Sequence, residues 1–215
     1  MTAVAPRRAR PRGEPRRAQI LDAATAVFLE HGYAGGTIDL VVARAGASKA
    51  TIYSFFGGKE GLFSALIDER AARILAGFPD IDVENVDIRA ALVDIARRYM
   101  DVAMNPEAIG LYRLILAEGP RFPELVRSVY RVGSDRVTAS LTKALGVWAR
   151  RGRIVADPPE RLATQFFDLV RGELHLRVVA GLPPDDLAEA VERNIEHAVR
   201  TFWRAVSPRS GAHAD

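Results

Sequence analysis

The sequence has 215 residues, of which 48% are hydrophobic and 27% are charged. This length allows one or two domains, and the composition is typical of a soluble globular protein rather than a disordered one. Cysteine is absent, which excludes disulfides, thiolate catalysis and cysteine-ligated metal sites. No apolar run is long enough to span a membrane or to form the core of a signal peptide, so we expect a cytoplasmic protein.

The positive charge is concentrated near the N-terminus. Residues 1–60 contain 9 basic and 5 acidic side chains, although the net charge of the whole chain is only +3. Such an asymmetry suggests a polyanionic partner at one end of the molecule. Arginine supplies 27 of the 30 basic residues, so a compositional bias and a merely solvated tail remain alternatives.

The N-terminal third of the chain is predicted to form a flexible arm followed by four helices. Residues 1–14 are rich in Arg, Pro and Ala and lack apolar periodicity. Thr37 and Ser48 are expected to cap the second and third helices, and Gly32 and Gly46 to adopt positive φ at turns. Apolar residues at helical spacing predict helices over residues 15–31, 37–45, 48–56 and 59–77.

The rest of the chain is also predicted to be helical, after a short acidic break at residues 78–87. We expect Gly133 to kink or divide the longest segment, and Asp157 and Asp185 to begin the last two helices. The predicted segments are 88–102, 109–118, 123–151, 157–178 and 185–202. No stretch alternates with the period of a strand, so the predicted fold class is all-α. The predicted divisions are an arm (1–14), an N-terminal domain (15–77), a C-terminal domain (87–206) and a polar tail (207–215).

Two short predicted helices joined by Gly46-Ala47 and preceded by a longer helix have the layout of a helix-turn-helix. The first turn of the second short helix would offer backbone N–H groups to a phosphate or a base edge. There Lys49 adds charge, hydroxyl groups add donors, and the small Ala50 allows close approach to a duplex. The predicted DNA-contacting residues are Thr37, Arg44, Ser48, Lys49, Ala50, Thr51, Tyr53 and Lys59.

A specific run of residues lies across this region: TIDLVVARAGASKATIYSFFGGKEGLF, residues 37–63. The run closely resembles the DNA-binding domain of TetR-family transcriptional regulators, and the similarity extends over roughly residues 16–67. Ala47, Ser54 and Gly58 depart from the residues usual in the family. At Ser54 one expected DNA contact is either absent or water-mediated, so the operator sequence stays open. Gly58 weakens the start of the fourth helix by a few tenths of a kcal/mol.

The resemblance implies that the C-terminal helices bind an effector and form a homodimer. The run RFPEL, residues 121–125, resembles the C-terminal domain of the AefR-like subgroup. The last two predicted helices carry apolar residues on more than one face, which favours a four-helix interface between two copies. Gly172 would allow close approach of a partner helix. A two-fold dimer would match operator half-sites separated by about one DNA turn or a multiple of it.

The expected effector is a small hydrophobic or aromatic molecule. Aromatic walls with a few polar groups are typical of ligand cavities. The candidate residues are Tyr99, Tyr112, Trp148, Phe166, Arg171 and His175. The alternative is that these aromatic residues belong to the core and that His175 faces solvent or the dimer interface.

The sequence therefore predicts a homodimeric repressor that an effector releases from operator DNA by shifting the helix over residues 59–77. No enzyme activity, cofactor or metal is expected. One alternative is a non-specific architectural DNA binder, and we interpret the N-terminal arginines as raising non-specific affinity rather than reading the minor groove. A second alternative is an all-α enzyme. The chain has four histidines but no HExxH or phosphate-loop motif, and Glu192, Glu196 and His197 fit a solvated helix face.

Overall fold

The computed structural model describes residues 14–76, 83–84, 86–129, 135–156 and 158–208. Within these residues all regular elements are α-helices, which confirms the predicted all-α class. The helices are α1 (Glu14–Gly35), α2 (Ile38–Ala45), α3 (Lys49–Phe56), α4 (Lys59–Ala76), α5 (Ile88–Ala103), α6 (Pro106–Glu118), α7 (Pro123–Val129), α8 (Asp135–Arg150), α9 (Pro159–Val179) and α10 (Leu187–Val206). None of the helices in these ranges is long and apolar enough to cross a bilayer.

Helices α1 to α4 enclose a hydrophobic core that fixes α2 and α3 relative to each other. The rings of Phe28, Tyr33 and Phe63 contact one another with centroids 5.3 to 5.6 Å apart. Val41 and Ile52 anchor α2 and α3 in this core, where both are fully buried. Because the short helices have no stable existence alone, this packing is what holds them in place.

Helices α6 and α7 complete the N-terminal core. Leu111, Leu114 and Ile115 of α6 are buried in the same cluster as the residues of α1 and α4. The ring of Phe122 lies 4.9 Å from that of Tyr33. The predicted C-terminal domain, residues 87–206, includes α6, whereas in the structure α6 packs in the N-terminal core and also contacts α9 through Tyr112 and His175.

Arg70 of α4 joins three helices through polar contacts. Its guanidinium donates to Asp22 Oδ1 and Thr25 Oγ1 of α1, at 3.0 Å each. It also forms an ion pair with Glu107 of α6. The side chain of Arg70 is largely buried, so these contacts tie α4 to both α1 and α6.

Helices α5, α8, α9 and α10 form a second core. In α10 the buried residues recur at helical spacing, which gives that helix one apolar face. The large side chains in this core are Leu92, Met100, Leu141, Trp148, Phe166 and Phe202.

Several predicted helix boundaries are corrected. Asp186, not Asp185, caps α10 by accepting from the N–H of Glu189 at 2.9 Å. Pro158 holds the cap position of α9, and the predicted cap Asp157 lies outside the described residues. Aspartate and proline residues are adjacent at the starts of α9 and α10. The sequence alone therefore does not determine which residue occupies the capping position.

Other boundaries differ in extent. Gly32 has φ of +70°, as expected at a break, but a further helical turn carries α1 to Gly35. Asn105 caps α6, which begins at Pro106 rather than near residue 109. The long predicted segment 123–151 forms two helices, α7 and α8. Gly133, the predicted point of division, lies outside the described residues, as do residues 1–13 and 209–215.

Candidate functional site

The α2–turn–α3 unit is fixed by local hydrogen bonds. The Thr37 hydroxyl accepts from the N–H of Leu40 at 3.3 Å, and the Ser48 hydroxyl accepts from the N–H of Thr51 at 3.1 Å. Both predicted caps are therefore confirmed, and each is worth about 1 kcal/mol. Gly46 has φ of +59° in the turn, a conformation that residues with a Cβ rarely adopt.

One face of α3 is exposed and carries small or polar side chains. Ser48, Lys49 and Ala50 are exposed in or beside the first turn, and Tyr53 is 55% exposed one turn further on. The opposite face is buried through residues such as Ile52. This arrangement suits a recognition helix, because the exposed face can enter a groove while the buried face fixes its position.

Two of the predicted DNA-contacting cations, Arg44 on α2 and Lys49 on α3, each form an ion pair with a carboxylate. Lys49 Nζ lies 2.7 Å from Asp39 Oδ1, in the first turn of α2. The hydrogen bond to Asp39, together with its charge, raises the pKa of Lys49. Arg44 is likewise 2.7 Å from Glu30 of α1. Any phosphate that binds Arg44 or Lys49 competes with these intramolecular partners.

The ammonium group of Lys59 contacts other residues of the N-terminal domain. Its ammonium donates to the carbonyl of Ala34 at 3.1 Å and lies 4.5 Å from the ring centroid of Tyr33. Partial burial lowers the pKa of Lys59. Glu118 of α6 accepts from the N–H of Ala34 at 3.1 Å, so both α4 and α6 hold the last turn of α1, just before α2.

Four of the six predicted effector residues come together between α5, α6 and α9. We name Tyr99, Tyr112, Arg171 and His175 the Tyr-Arg-His cluster. The rings of Tyr112 and His175 meet edge to face, 4.9 Å apart. Arg171 is paired with Asp168 at 2.6 Å and interacts electrostatically with both tyrosines. Burial raises the pKa of Tyr99, so its phenol stays protonated at neutral pH.

The other two predicted effector residues are core residues. Trp148 and Phe166 are both 0% exposed within the second core. The indole Nε1 of Trp148 is buried without a hydrogen-bond partner in the described part of the chain. Two surface grooves are described: about 330 Å³ between α9 and α10, and about 790 Å³ between the start of α4 and α7. None of the six predicted residues lines either groove.

Comparisons with known proteins identify both parts of the chain. Residues 20–66 match the model of the bacterial regulatory proteins of the tetR family. Residues 90–207, more than half of the chain, match the AefR-like transcriptional repressor C-terminal domain. The chain belongs to the TetR family of transcriptional regulators. Members of this family bind operator DNA and form dimers.

Individual TetR-family proteins resemble the chain over nearly its whole length. A regulator from Mesorhizobium loti superposes with a TM-score of 0.80 at 27% identity, covering 93% of this chain and 100% of that one. The flavonoid-responsive regulator FrrA gives a TM-score of 0.79 at 33% identity, covering 92% and 100%. The repressor AcnR of Corynebacterium efficiens is 26% identical over 184 residues, 86% of this chain and 92% of its own.

Arg16, which is not among the predicted site residues, stabilises the TetR-type DNA-binding domain. The Arg16 guanidinium donates to the carbonyl of Ala45 at 3.2 Å and also to that of Gly46, so it joins the start of α1 to the turn before α3. The guanidinium of Arg17 lies 5.4 Å from the ring centroid of Phe56, at the end of α3. Helical spacing gives no signal for either contact, because the partners are distant in sequence.

His175 makes the stability of this TetR-family domain depend on pH. Burial lowers its pKa below the ordinary value of 6.5, and the positive charge of Arg171 acts in the same direction. Because the unfolded chain binds this proton more tightly, the stabilisation is fully present above about pH 6.5 and is lost as the pH falls further. We expect His175→Gln to reduce the fall in Tm between about pH 7.5 and pH 5.5, measured by circular dichroism.

The matched control for that experiment is His197→Gln. His197 is exposed on α10, so this variant controls for the loss of an imidazole as such. An identical pH dependence in His175→Gln and the unmodified protein would contradict the assignment to His175.

Proposed function

We propose that this TetR-family chain is a homodimeric transcriptional repressor that a small aromatic ligand releases from its operator. The observation that carries the DNA-binding part is the exposed, capped first turn of α3 beside Gly46. It offers Ala50 and Tyr53 to a groove while Ile52 holds the helix in the core. The positions Thr37, Arg44, Ser48, Lys49 and Thr51 complete the proposed contact surface.

The proposed dimer interface lies on α9 and α10. Leu169 and Leu176 of α9 are 39% and 60% exposed, and the groove between the two helices includes Leu174 and Ala190. Exposed leucines on a helix favour burial against a second copy. Gly172, with φ of +51°, interrupts α9 between these two leucines, beside Asn194 of α10. A two-fold interface would place two α3 helices in successive major grooves.

The proposed effector site is the Tyr-Arg-His cluster. Its two phenols, imidazole and guanidinium suit an aromatic ligand with phenolic oxygens, which can stack on the rings and accept from Arg171. The similarity to FrrA, named as flavonoid-responsive, supports the same class. Flavonoids should weaken operator binding at least tenfold. Operator binding that no flavonoid or simple phenol changes would contradict this effector class alone.

Helix α6 offers a route from the effector cluster to the DNA-binding domain. Tyr112 belongs to the cluster, and neighbouring Leu111 lies in the N-terminal core. Arg113 donates to the carbonyls of Val178 and Val179 at the end of α9, at 2.8 and 2.7 Å. A ligand that displaces α9 would therefore also displace α6. To release the operator, the ligand must bind the released state more tightly than the DNA-bound state, by a few kcal/mol.

The DNA-binding part of the proposal is tested by selecting a preferred duplex from a random library and footprinting it. Ala50→Glu is expected to remove the footprint, because a carboxylate there repels phosphate and fills the space for close approach. The fold should persist, since an acidic residue is favourable in the first turn of a helix.

Ala90→Glu provides the matched control, because Ala90 is an exposed alanine in the first turn of α5. It should bind the selected duplex as the unmodified protein does. Selection of no preferred sequence, or an undiminished footprint with Ala50→Glu, would overturn DNA recognition by α3.

A further inference from the structure

Asp39 places a negative charge within the proposed DNA contact surface. It lies in the first turn of α2, and its Oδ1 is 2.7 Å from the Nζ of Lys49, in the first turn of α3. The side chains of Asp39 and Lys49 are 66% and 61% exposed, so a duplex can approach both of them. A carboxylate at this position repels the phosphates that Lys49 attracts. Asp39 therefore affects how strongly this surface binds DNA.

The folding of the helix-turn-helix depends little on Asp39. An ion pair between two side chains as exposed as these contributes little to stability, because water solvates both charges well. The hydroxyls of Thr37 and Ser48 already cap α2 and α3. The fully buried side chains of Val41 and Ile52 hold the two helices in the core. The effect of Asp39 on DNA binding can therefore be measured in a folded protein.

The ion pair between Asp39 and Lys49 reduces the attraction of this surface for phosphate. Sequence-independent binding to DNA is driven by counterion release, which requires cations whose charge is not already compensated. The hydrogen bond to Asp39 and the charge of its carboxylate raise the pKa of Lys49, as expected for an ammonium group with an anionic partner. A phosphate that binds Lys49 must either displace this carboxylate or lie close to it. Both alternatives weaken binding to phosphate alone.

A base edge can bind Lys49 without displacing Asp39. An ammonium group has three N–H donors, and one of them is enough for the hydrogen bond to the carboxylate. The other two remain free for acceptors in the major groove, such as N7 and O6 of guanine. The ion pair is therefore compatible with a duplex that places such an acceptor opposite α3, and it opposes binding where Lys49 finds only phosphate.

We propose that Asp39 is a specificity-determining residue, which lowers the affinity for non-operator DNA by holding Lys49 away from phosphates. Binding to the operator is weakened less, because base acceptors there bind Lys49 while its ion pair stays intact. Asp39 thus acts through Lys49. This inference rests on the proposed recognition of DNA by α3.

The test replaces Asp39 with asparagine in the full chain, which keeps the shape of the side chain and removes its charge. Affinity for the selected operator and for a random duplex is then measured over a range of KCl concentrations. Each lysine that is freed neutralises about one more phosphate, so the slope of log K against log salt for the random duplex should steepen by up to about 1.8 for a dimer. At low salt, affinity should rise at least about tenfold for the random duplex and less than about threefold for the operator.

Asp101→Asn is the matched control for net charge. Asp101 is exposed on α5, in the C-terminal domain, and its replacement changes the charge of the chain by the same amount. This variant should alter the salt slope by less than about 0.5 for either duplex.

A second pair of variants tests whether Asp39 acts through Lys49. In a Lys49→Gln protein, adding Asp39→Asn frees no cation, so the salt slope for the random duplex should change by less than about 0.5. A change as large as that caused by Asp39→Asn alone would overturn the proposed route through Lys49.

Failure of this inference and failure of the proposed function give different results. An Asp39→Asn protein that keeps the original affinity and slope for the random duplex overturns the inference, while operator binding stands. Weaker binding to both duplexes together with a lower Tm also overturns it, because Asp39 would then only stabilise the fold. Failure of the proposed function is seen in the unmodified protein, as the absence of any preferred duplex, and the inference then fails with it.

Discussion

Replacing Gly61 with alanine is expected to abolish operator binding by destabilising the N-terminal domain. A Cβ on Gly61, in the first turn of α4, would overlap the carbonyl oxygen of Phe56 at the end of α3. A backbone oxygen cannot rotate away as a side chain can, so α3 and α4 must separate. We expect a loss of at least about 3 kcal/mol, or roughly 10 °C in Tm. Thermal melting and operator binding of the same sample would measure both effects.

Gly57→Ala is the matched control in the same loop. Gly57 has φ of +75°, but a Cβ there meets no atom within 4 Å. Only the cost of the backbone conformation applies, about 1 kcal/mol, so this variant should still bind operator DNA. A Gly61→Ala protein that melts within about 2 °C of the unmodified chain would show that α3 and α4 do not depend on this close approach.

Trp148→Ala is expected to lower the free energy of unfolding by about 3 to 5 kcal/mol. The indole is completely buried between helices of the second core, and its removal leaves a cavity. Its Nε1 has no hydrogen-bond partner among the described residues, so the loss arises from packing rather than from a broken hydrogen bond. Urea unfolding with an unchanged m value would measure the difference.

Two further variants delimit the effect of Trp148. Trp148→Phe keeps part of the volume and should lose less than half as much stability as Trp148→Ala. Leu116→Ala removes a side chain that is 53% exposed on α6 and should cost less than about 0.5 kcal/mol. A Trp148→Ala variant that loses less than about 1 kcal/mol would contradict the core position of this residue.

Local interactions explain why the helix-turn-helix is predictable. The hydroxyls of Thr37 and Ser48 bond to N–H groups three residues away, and the positive φ of Gly46 concerns a single residue. Because the interacting residues are close in sequence, a short stretch of sequence is enough to predict these interactions. The starts of α9 and α10 are less predictable, since adjacent Asp and Pro residues offer several competing caps.

The Tyr-Arg-His cluster could be predicted from the sequence only in part. Tyr112 and His175 meet, while Trp148 and Phe166 lie in the core. All four occupy apolar positions at helical spacing, and an aromatic side chain at such a position can pack in a core or line a site. The choice depends on which helices lie opposite, and only the packing of α5, α6, α8 and α9 decides it.

The sequence by itself determined the all-α class, the capped turn and the basic excess near the N-terminus, because each depends on neighbouring residues or on composition. The tertiary structure decided which partners the basic side chains of the described residues contact. Lys49 meets Asp39 across ten residues, and Arg16 meets Gly46 across thirty. It also decided that α6 packs in the N-terminal core through Leu111 and its neighbours, while Tyr112 of the same helix meets His175 of α9. Contacts of this kind form only when folding brings distant helices together.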